Sequence, residues 1–211
     1  EEVDRIAGDA PSTLRLILPE SKLNDANVEE HIADINRSMA DYLSRDIFQT
    51  LKDSVIYIER TQSDGTVRPG LVAAVDLEKY DYTPGSGSLI RATEGTVLER
   101  IPPRVRVRKD APIELPHVML LIDDPKKICV ESITAAKESM EVLYDFDLMM
   151  KGGRLKGWKL NEEQIDGLAA ALERLSSDEA MQHKYGLGGV PPLLFAVGDG
   201  NHSLATAKTC Y

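Results

Sequence analysis

Cysteine is scarce in this sequence. There are two in 211 residues, Cys129 and Cys210, too few for a disulfide framework and unlike any zinc site of the usual Cys/His spacing. Their scarcity points to a reducing cytoplasm. Long apolar runs are also missing: no stretch approaches the ~20 residues a helix needs to cross a bilayer. The first residues, Glu1-Glu2-Val3-Asp4, carry neither the basic region nor the apolar core of a secretion signal. Basic charge is in deficit, with 25 Lys and Arg against 35 Asp and Glu and a formal net charge of −10. A general nucleic-acid binder would present a basic surface, so neither nucleic acid nor a membrane is an expected partner. No internal repeat and no low-complexity run occurs. A starting Met is missing too, and the chain stops about two turns into its last helical pattern. A fragment of a longer protein is therefore expected.

What remains is ordinary globular material. The hydrophobic fraction of 42% is that of a folded domain. The length suits one sizeable domain or two small ones, with a candidate division near residue 125 (1–125 and 126–211). Residues 3–7 read as the end of a helix, and 13–18 as a strand closed by Pro19. Val28, Ile32, Ile35, Met39, Tyr42 or Leu43, and Ile47 recur at three and four residues. That spacing predicts a long amphipathic helix, with Asn27 as N-cap and Glu30 as its capping-box partner. Residues 54–60 and 68–77 flank an Asp64-Gly65 turn and read as a hairpin. Glu78 to Tyr82 suits a helical turn. Pro102-Pro103 suits a helix first turn, which would put Arg104 and Arg108 on one face. His117 to Ile122 reads as a buried strand and 128–140 as a helix. A second hairpin is expected over 142–148 and 157–160, a helix from Asn161 to about Leu175, and a short one over 177–183. The fold class is α/β or α+β: a mixed sheet with antiparallel hairpins, flanking helices and a strand–loop–helix at the C-terminal end.

That last stretch concentrates the chemistry. Leu193 to Val197 is apolar and too short for a helix. Gly198-Asp199-Gly200 breaks it, and Asn201 or Ser203 can cap a helix from about Leu204, on which Leu204, Ala207 and Tyr211 share a face. A strand, a two-glycine turn and a helix start bring free N–H groups and a positive dipole end to one point, where an anion binds readily. Gly198 and Gly200 would let backbone approach the anion, and Asn201, Ser203 and the helix N–H groups would hold its oxygens. Asp199 could accept a proton or hold a metal ion. His202 has the right pKa range for acid–base work. Neither common phosphate-loop template applies. G-x-G-x-x-G would need glycine at Ser203, and a P-loop would need a lysine well before Lys208. A purely structural turn, with Asn201 capping and His202 merely exposed, stays open.

A second candidate spans Arg91 to Arg104. Arg91, Arg100 and Arg104 form a local basic cluster in an acidic chain, and arginine suits bidentate recognition of phosphate or carboxylate. Glu94, beside Thr96, could be a base or a metal ligand there. An ordinary solvated face of Glu–Arg pairs is the alternative. His117, Asp123-Asp124, and Asp145 with Asp147 are weaker candidates with structural readings to hand: a hydrogen-bonded residue, a turn and helix cap, and a wet sheet face.

Three segments, Arg91-Ala-Thr-Glu-Gly-Thr96 with Glu99-Arg100, Glu114 to Asp124, and Val197 to Lys208, together resemble a prokaryotic family, domain of unknown function 1015, over essentially the whole chain. Members of that family are longer at both ends. Many carry Asp-Gly-His-His-Arg where this chain has Asp199-Gly-Asn-His-Ser203, so any phosphate contact made by that arginine has no charged counterpart at Ser203. The Asp-Gly-x-His motif is also similar to one in ParB/sulfiredoxin-like proteins, a group that includes nucleotide-dependent serine kinases. The convergence of an anion-binding turn with an arginine cluster, together with this resemblance, gives the expectation of a cytoplasmic enzyme that binds a nucleotide or phosphorylated metabolite, transferring a phosphoryl group to a small hydroxyl substrate. Glu94 and Asp199 would be base or metal ligand, His202, Ser203, Arg91, Arg100 and Arg104 would be phosphate contacts, and Mg²⁺ would arrive with the nucleotide. A non-catalytic nucleotide-sensing module is the alternative.

Overall fold

The structure, a computed structural model, describes residues 2–211. They build two four-stranded sheets with helices against them. The first sheet is antiparallel throughout and made from both expected hairpins. β1 (Ile56–Thr61) pairs with β2 (Val67–Val72) across the Asp64-Gly65 turn. There Gln62 N–H donates to the Thr66 carbonyl at 2.8 Å, and Thr66 N–H to the Asp64 carboxylate at 2.9 Å. β6 (Glu141–Asp147) pairs with β7 (Arg154–Lys159), and β7 joins β1 in the order β2-β1-β7-β6.

Cross-strand partners Tyr57 and Trp158 place their rings 5.4 Å apart. Both are buried, in a core with Ile133, Leu160, Leu168 and Leu175. Tyr57 keeps its hydroxyl satisfied through Glu59 and Thr134, each at 2.9 Å, and Lys137 reaches Glu59 at 2.6 Å. Burial pushes the Tyr57 phenol up to about 12. α5 (Glu162–Leu175) covers this core, opened by a capping box in which Asn161 and Gln164 bond reciprocally at 2.9 Å.

The second sheet is mixed. β3 (Tyr80–Asp81), β4 (Ile90–Ala92) and β8 (Phe195–Asp199) run parallel, and β5 (Met119–Ile122) is antiparallel to β8. α3 (Ile101–Arg108) and α7 (Asn201–Cys210) pack on one face around Tyr80, Ile90, Ile101, Val197, Leu204 and Ala205. Each sheet draws strands from both sides of residue 125. A division of the chain there would cut both.

A third, smaller core lies at the N-terminal end. α1 (Glu2–Ala7) stops at Gly8, and the stripe of α2 (Val28–Ser44) buries Val28, Ile32, Ile35, Met39 and Tyr42 as its spacing predicts. Five expectations are corrected. Residues 13–18 form no strand but a 3-10 turn, Thr13–Leu16, because Ser12 Oγ accepts from Leu14 N–H and Tyr42 Oη from Ser12 N–H, tucking Leu16 against Ile35 and Met39. Asn27 caps α2 without a side-chain bond, so no capping box forms with Glu30; the helix rests on its apolar stripe. The 128–140 helix is interrupted, α4 (Val130–Thr134) being followed by a 3-10 turn, Lys137–Ser139. Ser132 and Thr134 hydroxyls bond back to the carbonyls of Ile128 and Val130, a competition that weakens helices. The short helix expected over 177–183 is α6 (Asp178–Tyr185), two residues longer at its end. Finally, α7 buries Asn201, Leu204, Ala205 and Thr206, whereas Tyr211 is exposed, so its buried face is not the one expected through Ala207 and Tyr211.

Candidate functional site

β8 ends at Asp199 and α7 begins at Asn201, with only Gly200 between them. Gly200 takes φ 83°, a region that strains any residue with a Cβ. A Cβ there would lie 2.2 Å from the His117 carbonyl oxygen and 2.9 Å from Val118 Cα. At Gly198 it would lie 2.8 Å from the Leu121 side chain. Gly200 is thus required by the close passage of the chain entering β5, whereas at Gly198 the neighbour is the exposed Leu121 side chain, which can move aside. The helix starts three residues earlier than expected, and neither Asn201 nor Ser203 caps it: Gly200 holds the N-cap position with no side-chain bond. Asp199 instead accepts the Gly200 N–H at 2.7 Å. The first helical bond is Leu204 N–H to the Gly200 carbonyl. The N–H groups of Asn201, His202 and Ser203 find no carbonyl within the helix, as at any helix start.

The loop after β4 closes on this turn. β4 and β8 are adjacent and parallel, with Ala92 opposite Val197, so Glu94 and Asp199 each lie two residues further on at the same end of the sheet. Ligands of open α/β sheets sit outside the carboxyl ends of such strands. Thr93 Oγ1 donates to the Val197 carbonyl at 2.6 Å. Val97 N–H donates to His202 Nε2 at 3.1 Å, which requires a neutral ring carrying its proton on Nδ1. Asn201 Nδ2 faces Glu94 Oε1 at 3.5 Å. Two buried polar atoms here have no partner, Asn201 Oδ1 and Thr96 Oγ1. Asn201 is only 4% exposed. Orphaned buried polar atoms are rare in folded proteins and ask for an explanation.

The arginines do not gather with them. Arg91 donates to the carbonyls of Pro191 (2.9 Å) and Pro192 (3.0 Å), tying down the segment that enters β8, and its Nε is a third buried atom without a partner. Arg104 donates to the Arg100 carbonyl at 2.8 Å and pairs with Glu20 at 2.6 Å. Arg100 is exposed in the 3-10 turn Leu98–Arg100. The guanidinium that reaches the turn is that of Arg108, donating to the Ser203 carbonyl at 2.7 Å while pairing with Glu114. The helical reading of 101–108 put Arg108 on one face with Arg104, and that periodicity was its only signal. The weaker candidates are structural. Asp124 accepts the Cys129 N–H at 2.8 Å, and Arg154 pairs with Asp145 (2.7 Å) and Asp147 (3.2 Å). Asp123 bonds Tyr185 and Lys184, the tyrosine hydroxyl chiefly holding its carboxyl below the usual range.

The family model for a protein of unknown function, DUF1015, matches residues 1–211. The chain belongs to the DUF1015 family. No curated protein and no solved structure matches it. In this DUF1015 chain the matched region includes both halves of the site, the loop after β4 and the β8–α7 turn. Among its described residues no group of three or more His, Cys, Asp or Glu side chains is gathered as a metal site. Among the same residues no helix is long and apolar enough to cross a membrane.

Proposed function

We propose that the junction of residues 93–97 with the β8–α7 turn binds a nucleotide or phosphorylated metabolite, and that it transfers a phosphoryl group to a small hydroxyl substrate. One observation carries the reading. Two loops remote in sequence meet through Val97–His202 and Asn201–Glu94, over a helix start, with Asn201 Oδ1 buried and unpartnered. The free N–H groups of Asn201, His202 and Ser203 and the helix dipole supply the oxyanion contacts. Glu94 would take the proton of the attacking hydroxyl, and His202 Nδ1–H would donate to a phosphate oxygen. Mg²⁺ is usually held by one or two carboxylates plus the phosphates it accompanies, and Asp199 would be that carboxylate. Bound there, the ion would neutralise phosphate charge. The resemblance of Asp199-Gly-Asn-His202 to a motif of ParB/sulfiredoxin-like proteins, which use a comparable strand–loop–helix for phosphate, is a further reason for the reading. The two free thiols, Cys129 and Cys210, suit the reducing cytoplasm in which we place the protein.

A non-catalytic nucleotide sensor is favoured by one feature: among the described residues the only arginine bonded to the turn, Arg108, is already neutralised by Glu114. Calorimetric titration with ATP, ADP and CTP in the presence of Mg²⁺, followed by ³¹P NMR with serine as acceptor, separates the readings. Transfer requires binding, a new phosphomonoester signal, and loss of that signal but not of binding in Glu94→Gln. Binding without turnover identifies the sensor. The site itself is excluded if no nucleotide or phosphorylated metabolite binds, or if His202→Ala with Asn201→Leu leaves affinity within about twofold, where loss of a hydrogen bond to a charged group should cost roughly tenfold or more.

A further inference from the structure

The N-terminal core is left partly unfilled. Between α2, the chain around Leu16 to Leu23, and α3 lies a cavity of about 170 Å³. Its floor is apolar, formed by Leu16, Leu18, Ile35, Met39, Ala111 and Ile113. Dry apolar cavities of about 150 Å³ hold a benzene-sized guest, so the space suits a body of roughly six to eight heavy atoms.

Its polar wall holds two ion pairs, Arg104 with Glu20 and Arg108 with Glu114. Arg104 and Arg108 both line it, their side chains only 22% and 17% exposed. A guanidinium has five N–H donors and no acceptor, and Arg104 spends donors on only two partners, the Arg100 carbonyl and Glu20. Glu20, the carboxylate facing it, is 75% exposed. A well-solvated side chain of that kind gives a weak ion pair and is readily displaced by a carboxylate held over the cavity. Donors in surplus above an apolar floor call for an acceptor head on an apolar body.

We infer that this cavity binds a small amphipathic carboxylate, its branched or aromatic body on Ile35, Met39 and Ala111 and its carboxylate on Arg104. The inference does not rest on the phosphate reading, although Arg108 borders both places.

The test titrates the whole chain with 4-methylpentanoate and phenylacetate, and with 4-methylpentanol and 2-phenylethanol as neutral matches, following thermal shift and the ¹³C-methyl resonances of the methionines. Expected is saturable binding of the acids, at least about tenfold tighter than the alcohols, with the Met39 methyl perturbed. Arg104→Met should erase the preference for acid over alcohol while keeping the weak binding of both. Ala111→Phe, which fills the space, should abolish both, and its circular dichroism should match the parent. No binding of any of the four compounds would overturn the inference. So would an Arg104→Met variant that still prefers the acid, a Met39 signal that does not respond, or a folded Ala111→Phe that binds as before.

Discussion

At the residue scale, Gly200 sets the geometry of the turn more strictly than any charged side chain. Its positive φ and its contact with the His117 carbonyl oxygen make two independent demands that a methyl group violates. Gly200→Ala is expected to destabilise the protein by at least about 2 kcal/mol, read as a lower midpoint in urea with unchanged slope. Local displacement of β5 should accompany the loss and appear as faster amide exchange at Leu120 to Ile122. The sequence suggested that both glycines serve an anion. The structure gives Gly200 a packing reason, and packing is silent in a sequence until the neighbouring strand is known. His202 was legible as a candidate because an imidazole beside a helix start is chemically distinctive. That its acceptor nitrogen is spent on the Val97 N–H could not be read from spacing.

At the element scale, what was legible followed the range of the forces involved. The hairpins 56–72 and 141–159 were visible because Asp64-Gly65 and Lys151-Gly-Gly153 fix their turns within a few residues. α2 and α5 were visible through their 3.6-residue stripes. Residues 13–18 misled because a run that alternates and then turns apolar was pulled into a 3-10 turn by Ser12 and Tyr42, a tertiary contact. The arginine cluster misled for the same reason: Arg91 and Arg104 are close to Arg100 in sequence but are held by Pro191–Pro192 and by Glu20. A capping box was expected at Asn27, where none forms, whereas at Asn161, where only a helix start was expected, reciprocal side-chain bonds are made. Asn161→Ala should therefore cost about 1 kcal/mol. Asn27→Ala should change stability by less than half of that, a difference measurable by chemical denaturation.

At the scale of the whole molecule, two sheets are interlaced along one chain. β1 and β2 need β7, and β5 needs β8. A piece ending near residue 125 would retain one bare hairpin and an edge strand without its neighbour, and isolated two-stranded hairpins are marginal in water. Residues 1–125 produced alone are expected to lack the cooperative urea transition of the full chain and to gain it when mixed with 126–211. A cooperative transition of 1–125 alone would show that the chain divides there after all.

The interlacing has a temporal side. Asn201 meets Glu94 across 107 residues of chain. A ribosome adding ~5–20 residues per second needs roughly 5–20 s to make the turn after the loop that faces it has emerged. Within each hairpin of the other sheet, by contrast, the paired strands are neighbours in the chain, and such local pairing takes only microseconds. During that interval the 93–97 loop has no partner, and no ligand of this junction can assist the nascent chain. Ligand binding would therefore report on completed synthesis of α7, the last helix described.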